Sequence, residues 1–312
     1  MQRQRVCHNT LPWLISLSLG DVAATMTAQA KQPSHWATLF VSLRAIVIGI
    51  LIAVIPLNVW PPLLLGLGVP VAATVEVVFL ALYVWWVSGG GPPRGTRATR
   101  SRAFRSTRLS PEQYFWGVIS ALFFAVTIHA AIVLLFRFAP FPTAAFRRGY
   151  DLSFIPSLPM RWVAVVISAA SAGICEETGF RGYMQQPIEQ RHGAPVAILI
   201  SSFFFTLLHL TTAWAVIGMV PIVFGAGVLL GLLAWSCGSL VPSMIGHVVM
   251  DIGLFAYWWT GIAGNFAARP ITETGIDRPF IITCMVLAAA LFLVLFAIGR
   301  LRQIKMPTTV IA

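Results

Sequence analysis

The stretch RWVAVVISAASAGICEETGFRGYMQQP, residues 161–187, begins as an apolar run and then places charges where that run should continue. Its first half has the composition of the body of a membrane helix. Its second half contains Glu176, Glu177 and Arg181. An ionisable side chain inside a bilayer costs about 3 kcal/mol or more, and such residues usually mark a functional site. We therefore expect residues 161–187 to be a membrane helix that carries part of a polar site.

The rest of the chain has the composition of a protein with many membrane helices. Of its 312 residues, 58% are hydrophobic and 10% are charged, and the mean hydropathy is +0.83. Soluble domains carry about 25% charged residues. The apolar runs are long enough to cross a bilayer and lack the strict alternation of a membrane β-barrel. The sequence therefore predicts an all-α polytopic membrane protein, with about eight transmembrane helices around a central polar cavity.

The apolar runs and charged stretches divide the chain into five parts. The clearest boundary is SGGGPPRGTRATRSRAFRSTRLSPEQ, which is rich in Gly, Pro and Arg,. The predicted spans lie near residues 42–60, 63–87, 114–136, 164–186, 195–212, 216–235, 240–259 and 280–298. The five parts are an N-terminal extension (1–41), a first transmembrane hairpin (42–87), an Arg-rich linker (88–113), a transmembrane catalytic core (114–299) and a basic C-terminal tail (300–312). The candidate catalytic motifs lie within the core, at about residues 160–258.

The N-terminal extension allows two interpretations. MQRQR, LPWLISLSLG and AQA follow one another as the charged, apolar and small-residue parts of a secretory signal do,. The apolar part is short, however, and Asp21 interrupts the run toward AQA. We therefore favour an uncleaved extension, disordered or lying at the membrane interface, over a cleaved signal.

The net charge of +11 comes mainly from arginines in the linker and at the ends of spans. Loops rich in Lys and Arg stay in the cytoplasm. The linker and the basic tail therefore predict that both termini are cytoplasmic, in what we expect to be a bacterial cytoplasmic membrane. Topology accounts for this charge without nucleic acid as a partner, and binding of anionic lipid headgroups is the remaining alternative.

The two glutamates of the opening stretch point in different directions. Glu177 and Arg181 are four residues apart on one helix face, with the acid N-terminal to the base, which is the favourable order for an ion pair,. Glu176 points about 100° away and lacks that partner. We expect Arg181 to neutralise and orient Glu177, which leaves Glu176 as a candidate base.

Two later helices carry histidines at the same spacing. His209 follows Phe205 by four residues in FFFTLLHL, and His247 precedes Asp251 by four in GHVVMD,. If these helices converge on Glu176, a carboxylate, two imidazoles and a second acid meet at middle depth in the membrane. A carboxylate in a partly dry cavity is a competent base near neutral pH. The set suits the activation of water against a carbonyl, and the alternative is a buried polar network that only holds helices together.

Three other ionisable residues in spans are isolated. Glu76 and His129 each stand alone in a predicted helix. We expect both to be buried and hydrogen-bonded in structural roles. Arg44 lies near the start of the first span, where its side chain can reach the cytoplasmic surface,.

These motifs, in this order, resemble the CPBP family (CAAX protease and bacteriocin-processing, also called Abi), which includes the type II CAAX prenyl endopeptidases. The family pattern EExxxR, FxxxH and HxxxN or HxxxD matches EETGFR at 176–181, FTLLH at 205–209 and HVVMD at 247–251. FRGYMQ and GSLVPSMIGH are also similar to the family, so the resemblance covers about residues 160–258. It implies an α-helical intramembrane endopeptidase of the glutamic type, with a site that opens toward the cytoplasm.

The resemblance also implies a role for each motif residue. Glu176 and His209 would activate the attacking water. His247 and Asp251 would stabilise the oxyanion. The residues implied to support these four are Glu177, Arg181 and Phe205.

Asp251 departs from the prenyl endopeptidases, which usually have Asn at this position. An Asn amide can donate a hydrogen bond to an oxyanion, whereas an ionised Asp cannot. Asp251 must therefore be protonated, orient His247 or bind a metal. Glu176, His209, His247 and Asp251 also form a set of zinc-ligand types. We favour a metal-free mechanism without a cofactor and keep zinc as the alternative.

Three functions fit these observations. The first is an endopeptidase that acts on membrane-associated or lipidated peptides or proteins. The second is a non-catalytic membrane protein of the same fold, acting in bacteriocin immunity or as a scaffold, and the third is a transporter with a proton relay. The complete motif set favours the first, and the lack of an internal repeat disfavours the third. The predicted partners are a membrane-associated peptide or protein substrate and the lipid bilayer, with no prediction of oligomeric state.

Overall fold

The computed structural model describes residues 35–147, 151–213 and 217–304. Within these ranges the regular secondary structure is entirely helical, with no strand. The all-α prediction is therefore confirmed. Most of the N-terminal extension and the last eight residues lie outside the described residues, so the predictions made for them stay predictions. Residues 40–312 form one compact unit, and the described part of residues 1–39 is helical.

The chain forms thirteen α-helices in the described residues, two of which continue into π-helices. Short connections join most of them. In chain order they are α1 (His35–Leu57), α2 (Trp60–Leu67), α3 (Val69–Val87), α4 (Arg97–Ala103), α5 (Pro111–Phe138), α6 (Thr143–Arg147), α7 (Leu158–Glu177) with π1 (Thr178–Met184), α8 (Gln185–His192), α9 (Ala194–Ala213), α10 (Met219–Cys237), α11 (Val241–Gly253) with π2 (Leu254–Trp259), α12 (Ile271–Thr274) and α13 (Arg278–Gln303).

Seven helical segments of the described residues are long and apolar enough to cross a membrane. Within α9 the apolar part, Ala194–Leu210, is shorter. Many large apolar side chains on α1, α3 and α13 are exposed, as expected for helices that face lipid,. The protein is therefore an integral, polytopic membrane protein.

The first hairpin breaks at a different place from the one predicted. The sequence places the boundary between the spans 42–60 and 63–87, at Pro61 and Pro62. In the structure α1 already ends at Leu57, these prolines lie in the first turn of α2, and a second break follows at Gly68, whose φ is 71°. Proline fits the first turn of a helix because its missing N–H has no partner there anyway. A positive φ is available to Gly at little cost.

The Arg-rich linker is folded. A 3₁₀ turn and α4 occupy Arg94–Ala103, and Arg100 is only 3% exposed. Its guanidinium donates hydrogen bonds to the carbonyls of Trp86, Gly90 and Gly91. One arginine thus satisfies several carbonyls of the SGGG turn, so the linker is more than a spacer with a topology signal.

The linker marks one end of the helix bundle, called here the linker end, and the opposite end is the far end. α3 finishes and α5 begins at the linker end, where Ser110 and Gln113 form a capping box. α13 returns to this end, where Arg300 Nη2 lies 3.9 Å from Glu112 Oε1. α2 and the connection from α5 to α7 therefore lie at the far end.

Candidate active site

The helix that carries the two glutamates widens where the polar residues lie. α7 ends at Glu177 and continues as π1, in which the hydrogen-bond register shifts from i→i+4 to i→i+5,. Gly179 and Gly182 lie in π1 at close contacts. An added Cβ would collide with the Gly49 carbonyl at the first and would lie 2.8 Å from the Ala103 carbonyl oxygen at the second. The glycines of GFRG therefore allow α1 and the linker to pack directly on α7 and π1, together called here the site helix.

Glu177 is the centre of a fully buried ion-pair network. Its Oε1 lies 2.9 Å from Arg181 Nη1 and 2.9 Å from His247 Nδ1. The side chains of Glu177 and Arg181 are both 0% exposed. The predicted Glu177–Arg181 pair is present, and Glu177 additionally accepts a hydrogen bond from His247. Arg181 and Glu177 therefore fix the orientation of the His247 ring, which sequence spacing alone does not predict.

Glu176 faces the two histidines. Its Oε2 lies 3.7 Å from His209 Nε2 and 3.9 Å from His247 Nε2. The same oxygen is buried and has no hydrogen-bond partner among the described residues. A buried carboxylate oxygen without a partner is costly, and Glu176 lines the cavity beside two imidazoles, where a water or a substrate can bind that oxygen. The convergence of three helices on Glu176, on which the predicted site depends, is therefore present.

Phe205 holds His209 in one tautomer and orientation. The Phe205 and His209 ring centroids are 4.4 Å apart, and His209 Nδ1 lies 2.8 Å from the Phe205 carbonyl oxygen. Because a carbonyl only accepts, Nδ1 carries the proton and Nε2 of the neutral ring is an acceptor. Phe205 also contacts Arg181, whose guanidinium carbon lies 4.3 Å from the ring centroid,. Phe205 thus joins the ion-pair network to the imidazole that faces Glu176.

Asp251 lies on the opposite side of His247 from Glu177. Its Oδ2 is 3.5 Å from His247 Nε2, which is longer than an N–H···O hydrogen bond,. The Asp251 side chain is 7% exposed. His247 is therefore surrounded by three carboxyl groups, from Glu176, Glu177 and Asp251.

Glu176, His209, His247 and Asp251 are all residue types that bind zinc. The Glu176–His209, Glu176–His247 and His247–Asp251 pairs have N–O distances of 3.5 to 3.9 Å. In a tetrahedral zinc site with bonds of about 2.0 Å, neighbouring ligand atoms are about 3.3 Å apart. No group of three or more His, Cys, Asp or Glu residues in the described part of the chain has the geometry of a metal site. These separations are wider than in a bound zinc site, and no step below uses a metal; independence from a metal stays a prediction.

The polar cluster forms the base of a cavity of about 440 Å³. Its walls are mostly apolar and include Ile128, Phe146, Met219 and Trp259. Toward the surface the cavity is bordered by exposed residues of α2, of the connection from α1 to α2 and of the connection from α5 to α7. The exposed lining residues there are Asn58, Pro61, Leu65, Asp151 and Phe154.

The cavity opens at the far end of the bundle. The lining residues that α5 and α9 contribute lie in the C-terminal halves of these helices, and those of α10 lie in its N-terminal half. None of the lining residues comes from the linker. The sequence led to two expectations: that the site opens toward the cytoplasm, and that the linker is cytoplasmic. These two expectations cannot both be correct, because the linker and the cavity mouth lie at opposite ends.

The linker closes the other end of the site. Arg105 is 8% exposed, its Nε donates to the Arg181 carbonyl at 3.1 Å, and its Nη2 lies 2.6 Å from Glu189 Oε2. The Arg181 carbonyl belongs to π1, where the change of register alters the pairing of the backbone,. Arg105 therefore connects the linker to the site helix and to α8 through these two contacts. The sequence did not predict this role.

We expect Arg105→Ala to lower the free energy of unfolding by about 1 to 2 kcal/mol, because it removes two hydrogen bonds to partly buried partners. Thermal denaturation of the purified protein in detergent measures this. Arg108→Ala is the matched control, since Arg108 is an exposed arginine of the same linker, and it should change stability by less than about 0.5 kcal/mol. Equal losses in the two variants would contradict the role given to Arg105.

The isolated polar residues lie outside the cavity. Ser171 donates a hydrogen bond of 2.8 Å to Glu76 Oε1, and Glu76 is 0% exposed. His129 is placed between the Met250 carbonyl and the indole of Trp258, at 3.2 and 3.1 Å. Neither residue lines the cavity, and their hydrogen bonds connect neighbouring helices.

The fold and the site together define a helical membrane protein with glutamates and histidines at the base of an intramembrane cavity. Residues 156–253 match the family model of the type II CAAX prenyl endopeptidase Rce1-like proteins. The matched segment contains all three motifs, and it confirms the resemblance to CAAX proteases over this part of the chain. No curated protein and no solved structure matches the chain.

Proposed function

We propose that this protein is an intramembrane endopeptidase, in which Glu176 and His209 activate a water molecule to hydrolyse a peptide bond of a membrane-associated or lipidated peptide or protein. The observation that carries the proposal is the buried Glu176 Oε2, which lacks a hydrogen-bond partner among the described residues and faces His209 Nε2 at 3.7 Å. The family match, to CAAX-type endopeptidases, supports the reaction class.

The spacing of Glu176 and His209 suits a shared water. Two acceptors do not hydrogen-bond to each other, and 3.7 Å between them suits one donor that serves both,. A water beside them can donate one hydrogen to each acceptor at an ordinary distance. Both lone pairs of its oxygen then face the cavity, where a substrate carbonyl carbon would lie. The His209 side chain is 32% exposed, so it is reachable from the cavity.

The reaction needs no group beyond these residues. The water oxygen forms a bond to the carbonyl carbon while Glu176 takes its proton. The carbonyl oxygen becomes an oxyanion that accepts hydrogen bonds from His247 Nε2–H and from a protonated Asp251. Collapse of the intermediate breaks the C–N bond, and the proton held by Glu176 passes to the leaving amine.

The charges of the cluster support the protonated state of Asp251 in this mechanism. Three carboxyl groups, from Glu176, Glu177 and Asp251, surround Arg181 and His247. The His247 ring is cationic in this mechanism, because Nδ1 donates to Glu177 and Nε2 donates to the oxyanion,. A third uncompensated negative charge in a dry site would be costly. If Glu176 is ionised, as a base must be, and Glu177 is paired with Arg181, the proton belongs on Asp251.

The purified protein tests the proposal in lipid nanodiscs with a chelator present. It would be incubated in H₂¹⁸O with membrane proteins extracted from the host cell, and new peptide termini would be measured by mass spectrometry. We expect cleaved peptides with ¹⁸O in the new carboxylate. No new termini under any condition would favour the non-catalytic alternative, and cleavage that chelation abolishes would overturn the metal-free mechanism.

Asp251→Asn separates the two mechanisms. If Asp251 only donates to the oxyanion, the amide of the variant donates at any pH, so we expect the variant to retain activity and to extend it to higher pH. If Asp251 binds zinc, Asn is a poorer ligand and the variant loses both metal and activity. The pH profile is measured together with the metal content of the purified protein. Stoichiometric zinc that disappears with activity in the variant would contradict the metal-free mechanism.

A further inference from the structure

The distribution of charge between the two ends of the bundle is strongly unequal. Among the described residues, ten arginines accompany two glutamates at the linker end, and five arginines accompany three acids at the far end. The linker-end charges are Arg44, Arg94, Arg97, Arg100, Arg102, Arg105, Arg108, Arg191, Arg300 and Arg302, with Glu112 and Glu189. The far-end charges are Arg137, Arg147, Arg161, Arg269 and Arg278, with Asp151, Glu273 and Asp277.

Contacts in the structure place these residues at one end rather than merely near each other in sequence. Ser42 at the start of α1 hydrogen-bonds His192 of α8 at 3.0 Å. Arg105 binds Glu189 of the same helix, and Arg300 lies beside Glu112. At the far end the acids offset much of the charge, since Arg137 pairs with Asp277 at 2.9 Å. By the positive-inside rule the linker end is cytoplasmic.

The cavity leads away from this cytoplasmic end. Its exposed border, including Asn58 and Asp151, lies at the far end. At the linker end Ala103 packs against Gly182, and Arg105 binds the backbone of the site helix. A peptide that reaches Glu176 through this cavity must therefore come from the side of the membrane opposite the linker.

We propose that the glutamate–histidine site receives its substrate from the non-cytoplasmic side of the membrane. The substrate class is then a peptide segment held at the outer surface by its own membrane anchor, with an apolar side chain at the cleaved bond to match the apolar walls. Prenylated proteins of the cytoplasm would not reach the site. This inference rests on the proposed function for its substrate, but the orientation of the cavity is measurable whether or not the protein cleaves peptides.

Cysteine labelling in intact cells tests the orientation. In a chain with Cys7, Cys175, Cys237 and Cys284 replaced by Ala, single cysteines are introduced by Asn58→Cys at the cavity mouth, Thr272→Cys elsewhere at the far end and Thr99→Cys in the linker. All three positions are exposed. We expect a membrane-impermeant maleimide to label the first two in intact cells and the third only after permeabilisation.

The converse pattern, with Thr99→Cys labelled from outside and Asn58→Cys protected, would overturn the proposal. Labelling of all three in intact cells would overturn it as well, because it indicates mixed orientations. A second measurement uses the wild-type chain and does not depend on the cysteine-free background. A green fluorescent protein fused after Ala312 should fluoresce and an alkaline phosphatase fused there should be inactive, whereas the opposite pair of results refutes a cytoplasmic linker end.

Discussion

Glu176→Gln is expected to lower the rate of peptide cleavage by a factor of about 10² to 10⁴, the usual contribution of a general base, while the protein stays folded. Gln has nearly the same shape as Glu but cannot accept a proton from water. Glu176 Oε2 has no hydrogen-bond partner among the described residues, so the substitution breaks no contact there. Cleavage of a peptide found in the nanodisc experiment and thermal denaturation of the same sample measure the two effects.

Glu76→Gln is the matched control for Glu176→Gln. Glu76 is also a buried glutamate of a membrane helix, at 0% exposure, but it does not line the cavity. We expect this variant to retain activity to within about a factor of three. If Glu176→Gln cleaved as fast as the wild type, Glu176 could not be the base.

Glu177→Gln is expected to destabilise the protein by about 3 to 5 kcal/mol, the usual cost of removing one partner of a buried ion pair. Arg181 would then be charged and unpaired at 0% exposure. The His247 ring would also lose the carboxylate that orients it at 2.9 Å. Activity should therefore fall together with stability, in contrast to Glu176→Gln. Thermal denaturation in detergent and the cleavage rate report both losses.

The control for this stability prediction is Glu112→Gln. Glu112 is exposed and its oxygen is 3.9 Å from Arg300, so its loss should change stability by less than about 0.5 kcal/mol. Similar melting temperatures for Glu177→Gln and the wild type would show that Arg181 does not depend on Glu177. The division of labour between the two glutamates would then need to be reversed.

The helical membrane fold could be predicted because it depends on a property that each segment shows by itself, its apolar length. The site could be predicted in part for a similar reason. Glu177 and Arg181 lie on one helix at a spacing that brings them together, and sequence shows that directly. The convergence of Glu176 with His209 and His247 depends on packing between helices, and only the order and depth of the motifs indicated it.

The remaining features depend on contacts that no single segment reveals. Pro61 begins a helix rather than ending one, and the difference depends on how α2 packs at the far end. The π-helix after Glu177 is recognisable only once Gly179 and Gly182 are known to contact α1 and the linker. Arg105 looks like a topology signal in the sequence, and its bond to the Arg181 carbonyl appears only in the folded chain.

The sequence led to two expectations about orientation, a cytoplasmic linker and a site that opens toward the cytoplasm, and the structure shows that they exclude each other. Charge predicts the side of the linker, and the family resemblance implies the side of the site. Each inference concerns a different part of the chain, so nothing in the sequence compares them. The structure compares them, because the linker packs against π1 at the linker end and the cavity extends from Glu176 toward the far end.

The most direct test of the central claim is a comparison of peptide termini in the membrane proteins of cells that express either the wild-type chain or Glu176→Gln at equal abundance. Our account predicts a set of new carboxyl termini in the wild-type cells that is missing from the Glu176→Gln cells and present again in cells that express Glu76→Gln. Identical termini in all three strains, with each protein folded and present in the membrane, would contradict the claim that Glu176 serves peptide hydrolysis.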